Sequence, residues 1–143
     1  MRCMVIVKAT PQTEEGQMPT EAELAEMGNF NEELSRAGVM VDGEGLHPSS
    51  KGVRVNFTGS GPEVIDGPFT EARELIAGYW IWEVKSMDEA VEWARRIPFT
   101  PGDGEPSSVE IRQVFAPEDF GEEFTPELQE QEARIRAESA RKA

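Results

Sequence analysis

Proton transfer near neutral pH is best served by histidine, and this chain has one, His47, in the string Gly45-Leu46-His47-Pro48. A general base also needs an orienting carboxylate, and Asp42, Glu44 and Asp66 are the candidates. Asp66 opens the most distinctive short string of the chain, Asp66-Gly67-Pro68-Phe69. One reading is structural. Aspartate bonds backbone groups two or three residues on, glycine admits positive φ and proline sets the next φ, so the string makes a corner and Phe69 plugs the core. The other reading sets Asp66 beside His47 in a cleft, as acid, base or orienter. For His47 the alternative is a loop residue that caps a backbone group. Lys8, Lys51, Arg54 and Arg73 are the cations near these loops that an anionic ligand would use. Tyr79, Trp80 and Trp82 supply aromatic walls, and aromatic walls with a few polar groups are what a small-molecule pocket requires.

Other chemistries are excluded by spacing. Thr58-Gly59-Ser60-Gly61 lacks the Lys-Ser/Thr of a phosphate loop and falls in a hairpin pattern. One cysteine and one histidine cannot build a zinc site unaided, and no carboxylate spacing argues for another metal. There is no Gly-x-Ser-x-Gly elbow and no dinucleotide fingerprint after the first strand, so neither metal nor cofactor is expected. Cys3 lies in an apolar run, where cysteine behaves as a small buried hydrophobe and burial raises the thiol pKa.

The elements that must position these residues follow from periodicity. Arg2 to Lys8 is a strand apolar on both faces, with Cys3, Val5 and Val7 on one side and Met4 and Ile6 on the other. Thr10 to Pro19 reads as a polar loop. A helix opens at Thr20 with a Thr-x-x-Glu box to Glu23; Leu24, Met27, Phe30 and Leu34 form its core face, and Gly38 stops it. Val39 to Val41 is a strand. Val53 to Phe57 and Glu63 to Ile65 form a hairpin. Glu71 to Leu75 is a short helical turn, and Ala77 to Val84 a strong strand. A second helix runs from the Ser86 cap to Pro98 on Met87, Ala90, Val91, Ala94 and Ile97. Thr100 to Pro106 is a loop and Ser108 to Phe115 the last strand. Beyond Pro117 a charged helix, with Leu128 and Ile135 as its large apolar residues, reads as an appended arm.

The order β-α-β, hairpin, β-α-β predicts an α+β ferredoxin-like sandwich with an antiparallel sheet and an inserted hairpin. Both helices fall on one sheet face, yet both faces are apolar, so the second needs a cover. Two sheets face to face, a homodimer forming an α+β barrel, is the economical solution. The domain spans residues 1–116 and the acidic helical arm residues 117–143. The 143 residues carry 14 Lys and Arg against 28 Asp and Glu, a formal charge of −14. Such a surface repels phosphate backbones and anionic lipids, so neither nucleic acid nor membrane is an expected partner. No stretch reaches the roughly 20 apolar residues of a membrane helix, no signal peptide is evident, and the lone cysteine suits a reducing compartment; the expected location is the cytoplasm.

Several strings taken together resemble the YciI-related proteins, in the branch called the DGPF-domain family. They are Met4-Val5-Ile6-Val7-Lys8, Gly45-Leu46-His47-Pro48, Asp66-Gly67-Pro68-Phe69-Thr70-Glu71, Ala77-Gly78-Tyr79-Trp80-Ile81-Trp82-Glu83 and Val109-Glu110-Ile111-Arg112-Gln113-Val114. The resemblance covers residues 1–116 and implies a dimeric ferredoxin-like α+β barrel. In YciI-like enzymes a His and an Asp meet in a cleft between helices and sheet; those positions hold Met27 and Ile97 here, so that catalytic inference does not transfer. Members of the DGPF branch also resemble companions of extracytoplasmic-function sigma factors, which implies a regulatory alternative. Two functions therefore compete. One is a small-ligand binder or enzyme, with His47 and Asp66 as catalytic candidates and Lys51, Arg54, Tyr79, Trp80 and Trp82 as ligand contacts. The other is a protein-interaction module using the C-terminal arm, whose charge pattern suits a partner-binding helix.

Overall fold

The computed structural model describes residues 1–71, 74–99 and 108–142. The chain runs β1 (Arg2–Lys8), α1 (Pro11–Glu14), α2 (Glu21–Arg36), β2 (Met40–Gly45), β3 (Val53–Thr58), β4 (Gly61–Asp66), β5 (Ile76–Glu83), α3 (Met87–Ala94), β6 (Val109–Gln113) and α4 (Pro126–Lys142), with a 3₁₀ turn at Ser49–Lys51. The main sheet has the order β2-β5-β1-β6, and every pairing in it is antiparallel. With β3 and β4 set apart as their own two-stranded sheet, the remaining order is that of a ferredoxin-like domain with a hairpin inserted between its second and third strands. Contacts divide the chain into Met1–Gln113 and Val114–Ala143.

Local chemistry accounts for the helix ends. The Thr20 hydroxyl accepts from the Glu23 N–H at 3.1 Å and donates to the Glu23 carboxylate, so this box closes through the hydroxyl instead of the Thr20 backbone. Ser86 accepts from the Glu89 N–H, while the Glu89 carboxylate accepts from the Lys85 N–H at 2.6 Å. The stretch read as a polar loop contains α1, because Thr10 and Thr13 cap each other reciprocally and Pro11 fits the first helical turn. β2 begins at Met40 and extends to Gly45, past the expected end at Val41, since β5 is long enough to pair with it throughout. The expected loop from Thr100 to Pro106 lies outside the described residues, as do Ala72 and Arg73 of the expected turn.

The register sorts the sheet into two faces. Cys3 lies opposite Trp82 and Val5 opposite Trp80, and all four are buried. They form the core with Phe30 and Leu34 of α2, Ala90 of α3, and Val39, Val84 and Ile97. Met4 and Ile6, opposite Ile81 and Tyr79, occupy the other face and belong to no part of this core. The stripe of α2 is narrower than expected: Leu34 is 0 % exposed but Leu24 is 59 % exposed, because Leu24 lies in the first turn, before the helix has passed over the sheet. Trp82 is fully buried with its indole N–H unpartnered, the one buried side-chain polar atom so placed among the described residues.

The second unit is built differently. Phe115, Phe120 and Phe124 stack successively at 5.0 and 5.3 Å between ring centroids. α4 buries no residue and carries i,i+4 ion pairs of Arg134 with Glu130, Arg136 with Glu132 and Lys142 with Glu138, each worth a few tenths of a kcal/mol. No helix among the described residues is long and apolar enough to cross a membrane. The register of α2 is checked by a pair of truncations: Leu34→Ala should cost about 2–5 kcal/mol in urea unfolding, and Leu24→Ala less than about 0.5 kcal/mol.

Candidate functional site

A cavity of about 240 Å³ opens where the α2 side of the sheet loses its side chains. Gly43 lies opposite Trp80, and Gly45 opposite Gly78, which in turn lies opposite Val7. Directly opposed residues share a sheet face, so three glycines on adjoining strands leave bare backbone on the face that carries Trp80. At two of them glycine is enforced by crowding: a Cβ on Gly43 would lie 2.8 Å from Cδ1 of Trp80, and one on Gly78 would lie 2.8 Å from the Glu44 carbonyl oxygen. Gly45 differs. A Cβ there would meet nothing within 4 Å, and its φ is not positive.

α2 and two flanking segments wall this space. Met27 and Asn31, one turn apart on α2, face it together with Val7, Trp80 and Phe99, and Ala77 of β5 borders it. Glu44 and Tyr79 also border it, although strand alternation directs their side chains to the opposite face. Asn31 is anchored by the Trp80 indole, whose Nε1–H donates to the Asn31 Oδ1 at 2.9 Å. Phe30, the residue before it, packs edge-on to Trp80, Trp82 and Trp93 at 6.1, 6.5 and 6.4 Å. The walls are therefore held rigidly from behind, by the core itself.

Of the residues singled out in the sequence, the structure brings Tyr79 and Trp80 to this cavity. His47, Asp66, Lys51 and Arg54 are exposed and do not line it, and Trp82 is enclosed in the core. No hydrogen bond joins His47 to Asp66 among the described residues, although their neighbours do meet. Gly67 donates to the Gly52 carbonyl at 2.9 Å, and it packs so closely on Ser49 that a Cβ would lie 1.8 Å from the Ser49 carbonyl oxygen. The Glu14 carboxylate accepts from both the N–H and the hydroxyl of Ser49, and the Ser49 hydroxyl accepts from the Phe69 N–H at 2.9 Å. Arg54 stacks on the Phe69 ring at 3.9 Å. The Gly67–Pro68 peptide is cis. This geometry is that of a clasp fastening the base of the hairpin. Arg54 serves it through its stack on Phe69, and Lys8 pairs with Glu110 at 3.7 Å.

Asn31 and the three glycines were not singled out in the sequence. The usable signal was the glycine spacing at 43 and 45 in one strand and 78 in another, which becomes meaningful only once the register sets them side by side. Met27 borders the cavity and Ile97 lies in the core, so these two positions supply neither a His nor an Asp there. Among the described residues no group of three His, Cys, Asp or Glu side chains is placed to hold a metal ion. The arrangement offers apolar and aromatic walls and one polar anchor, which suits binding.

Cys3 is 0 % exposed, and burial pushes its thiol above the ordinary value of 9.0. The neutral thiol is the form the fold protects, so its contribution to stability is complete below the unfolded pKa and is lost as pH rises through the higher folded one. Native protein at pH 8 should leave Cys3 unlabelled by a thiol-disulfide reagent, whereas protein in denaturant should react with one equivalent at once; prompt labelling of the native chain would contradict this placement.

Residues 1–116 match the model of the YCII-related domain. No curated protein matches the chain. Among solved structures, the chain is similar to 5-chloro-2-hydroxyhydroquinone dehydrochlorinase (TftG) from Burkholderia phenoliruptrix AC1100, in complex with 2,5-dihydroxybenzoquinone. The TM-score is 0.45 at 17 % identity, covering 80 % of this chain and 94 % of that one.

Proposed function

The chain belongs to the YCII-related family, and from that premise we propose that its domain binds a small organic molecule in the cavity between α2 and the glycine-lined stretch of β2 and β5. The observation that carries the reading is Gly45. Neither crowding nor backbone conformation requires glycine there. Gly45 is exposed at the border of the cavity, and a valine at this strand position would narrow the opening from the sheet side. The absence of a side chain keeps open a volume walled by Val7, Met27, Trp80 and Phe99 and reached by the polar Asn31, the composition expected of a small-ligand site. Binding is the activity that the apolar and aromatic lining favours.

The experiment is a fragment screen by protein-observed NMR, repeated on Gly45→Val. Ring-sized compounds should shift the Trp80 indole N–H resonance in the wild type. The variant should keep its melting temperature, since nothing lies within 4 Å of the added Cβ, and lose at least about tenfold in affinity, the scale of a steric block of about 1.4 kcal/mol. Unchanged binding in the variant would place the ligand elsewhere.

Two copies pairing through the sheet face opposite the helices complete this reading. Met4, Ile6, Tyr79 and Ile81 form an apolar patch there that contributes nothing to the core of its own chain. Two such faces stack as a sandwich of sheets about 10 Å apart. Light scattering should give twice the mass of the 15.9 kDa chain for the wild type and a single chain for Ile81→Glu. A monomeric wild type at about 100 µM, far above the Kd of a specific dimer, would remove this part of the proposal.

A further inference from the structure

We propose that the ligand class of this cavity is a neutral, single-ring aromatic compound bearing a carbonyl-type hydrogen-bond acceptor, selected by the side-chain amide of Asn31. The inference rests on the cavity being a binding site and names what it selects. An indole N–H is a donor and never an acceptor. The bond of 2.9 Å from the Trp80 Nε1 to Asn31 therefore fixes the orientation of the amide: its oxygen faces the indole and its NH₂ group turns away. Both sit on the cavity wall. The group available to a ligand is thus a pair of N–H donors, and no hydrogen bond from that nitrogen to another group occurs among the described residues. What such a group recognises is an acceptor.

Size and walls set the rest of the ligand. A volume of about 240 Å³ equals the liquid share of about eight waters, which is room for one ring with a substituent. Trp80 and Phe99 offer aromatic surface and Met27 a polarisable thioether, both suited to a flat apolar body. Charge excludes the alternatives. Among the described residues neither lysine nor arginine lines the cavity, and the chain carries −14 overall, so an anion entering it meets no counter-charge from them. A cation meets Glu44 at the border of the cavity, but at Asn31 it finds N–H donors where it needs an acceptor. A ring without a polar group leaves the Asn31 donors unpaired.

Four probes of one shape separate these cases: benzamide, benzoate, benzamidine and toluene, each titrated into the full chain and followed by NMR. Benzamide should bind most tightly, by about tenfold over each of the others, the scale of one well-made hydrogen bond. It should also move the Asn31 side-chain NH₂ resonances, which toluene leaves in place. Asn31→Asp keeps an oxygen for the Trp80 indole while replacing the donors by an acceptor. Benzamide should weaken about tenfold in this variant, and benzamidine should overtake it. Equal binding of benzoate or toluene by the wild type, or unmoved Asn31 NH₂ signals at saturating benzamide, overturns the assignment while leaving the cavity a binding site. Binding of none of the four, with Gly45→Val silent towards every fragment, overturns the cavity reading as well. Should Asn31→Asp fail to fold, the wild-type ranking and the Asn31 resonances decide the question by themselves.

Discussion

Phe30 stands edge-on to all three tryptophans of the chain, with ring centroids 6.1–6.5 Å away. Through Trp80 and Trp82 it ties α2 to β5, and through Trp93 it ties α2 to α3. Edge-to-face pairs add about 0.5–1.5 kcal/mol each beyond the area they bury, and three of them converge on one ring. The same contact fixes the rotation of α2 about its axis. Once Phe30 points at the tryptophans, Leu34 must enter the core one turn later, and Met27 and Asn31 must face the bare end of β2 and β5. The ion pair between Arg96 and Glu33, with Arg96 stacked on Trp93 at 4.4 Å, repeats the tie between α2 and the end of α3 at the surface.

The cavity is a consequence of that rotation together with three missing side chains. Had α2 been turned by a third of a revolution, Asn31 would face water and the Trp80 indole would lack its acceptor. The hydrogen bond between them therefore does two things. It satisfies a buried donor, and it orients the amide of a residue that borders the cavity. Trp82, two residues further along the same strand, shows the contrast: its indole is more deeply buried and has no such partner, so it fills the core without contributing a polar group to any site.

The hairpin follows a separate logic. Register places Val53, Val55 and Phe57 on the same face as Pro62 and Val64, and Phe57 is 85 % exposed. Two strands alone are marginally stable in water. What holds this pair is the clasp at its base, where Glu14, Ser49 and Phe69 share hydrogen bonds and Gly67 lies against the Ser49 backbone. Within the Asp-Gly-Pro-Phe string, Gly67 serves this close approach and Phe69 the anchoring.

By itself the sequence determined the order of the main strands and long helices, both long-helix caps, the hairpin and the buried nature of Cys3. Each of these rests on interactions a few residues apart or on a period of 2 or 3.6, which a linear string carries intact. Only the tertiary structure decided where the cavity lies. His47 and Asp66 drew notice by chemical type, yet type says nothing of what a side chain faces. The cavity depends on Gly43, Gly45 and Gly78 falling side by side and on α2 turning Asn31 towards them. Those relations arise from strand register and helix rotation, and both are set by contacts between residues 30 to 50 positions apart in the chain.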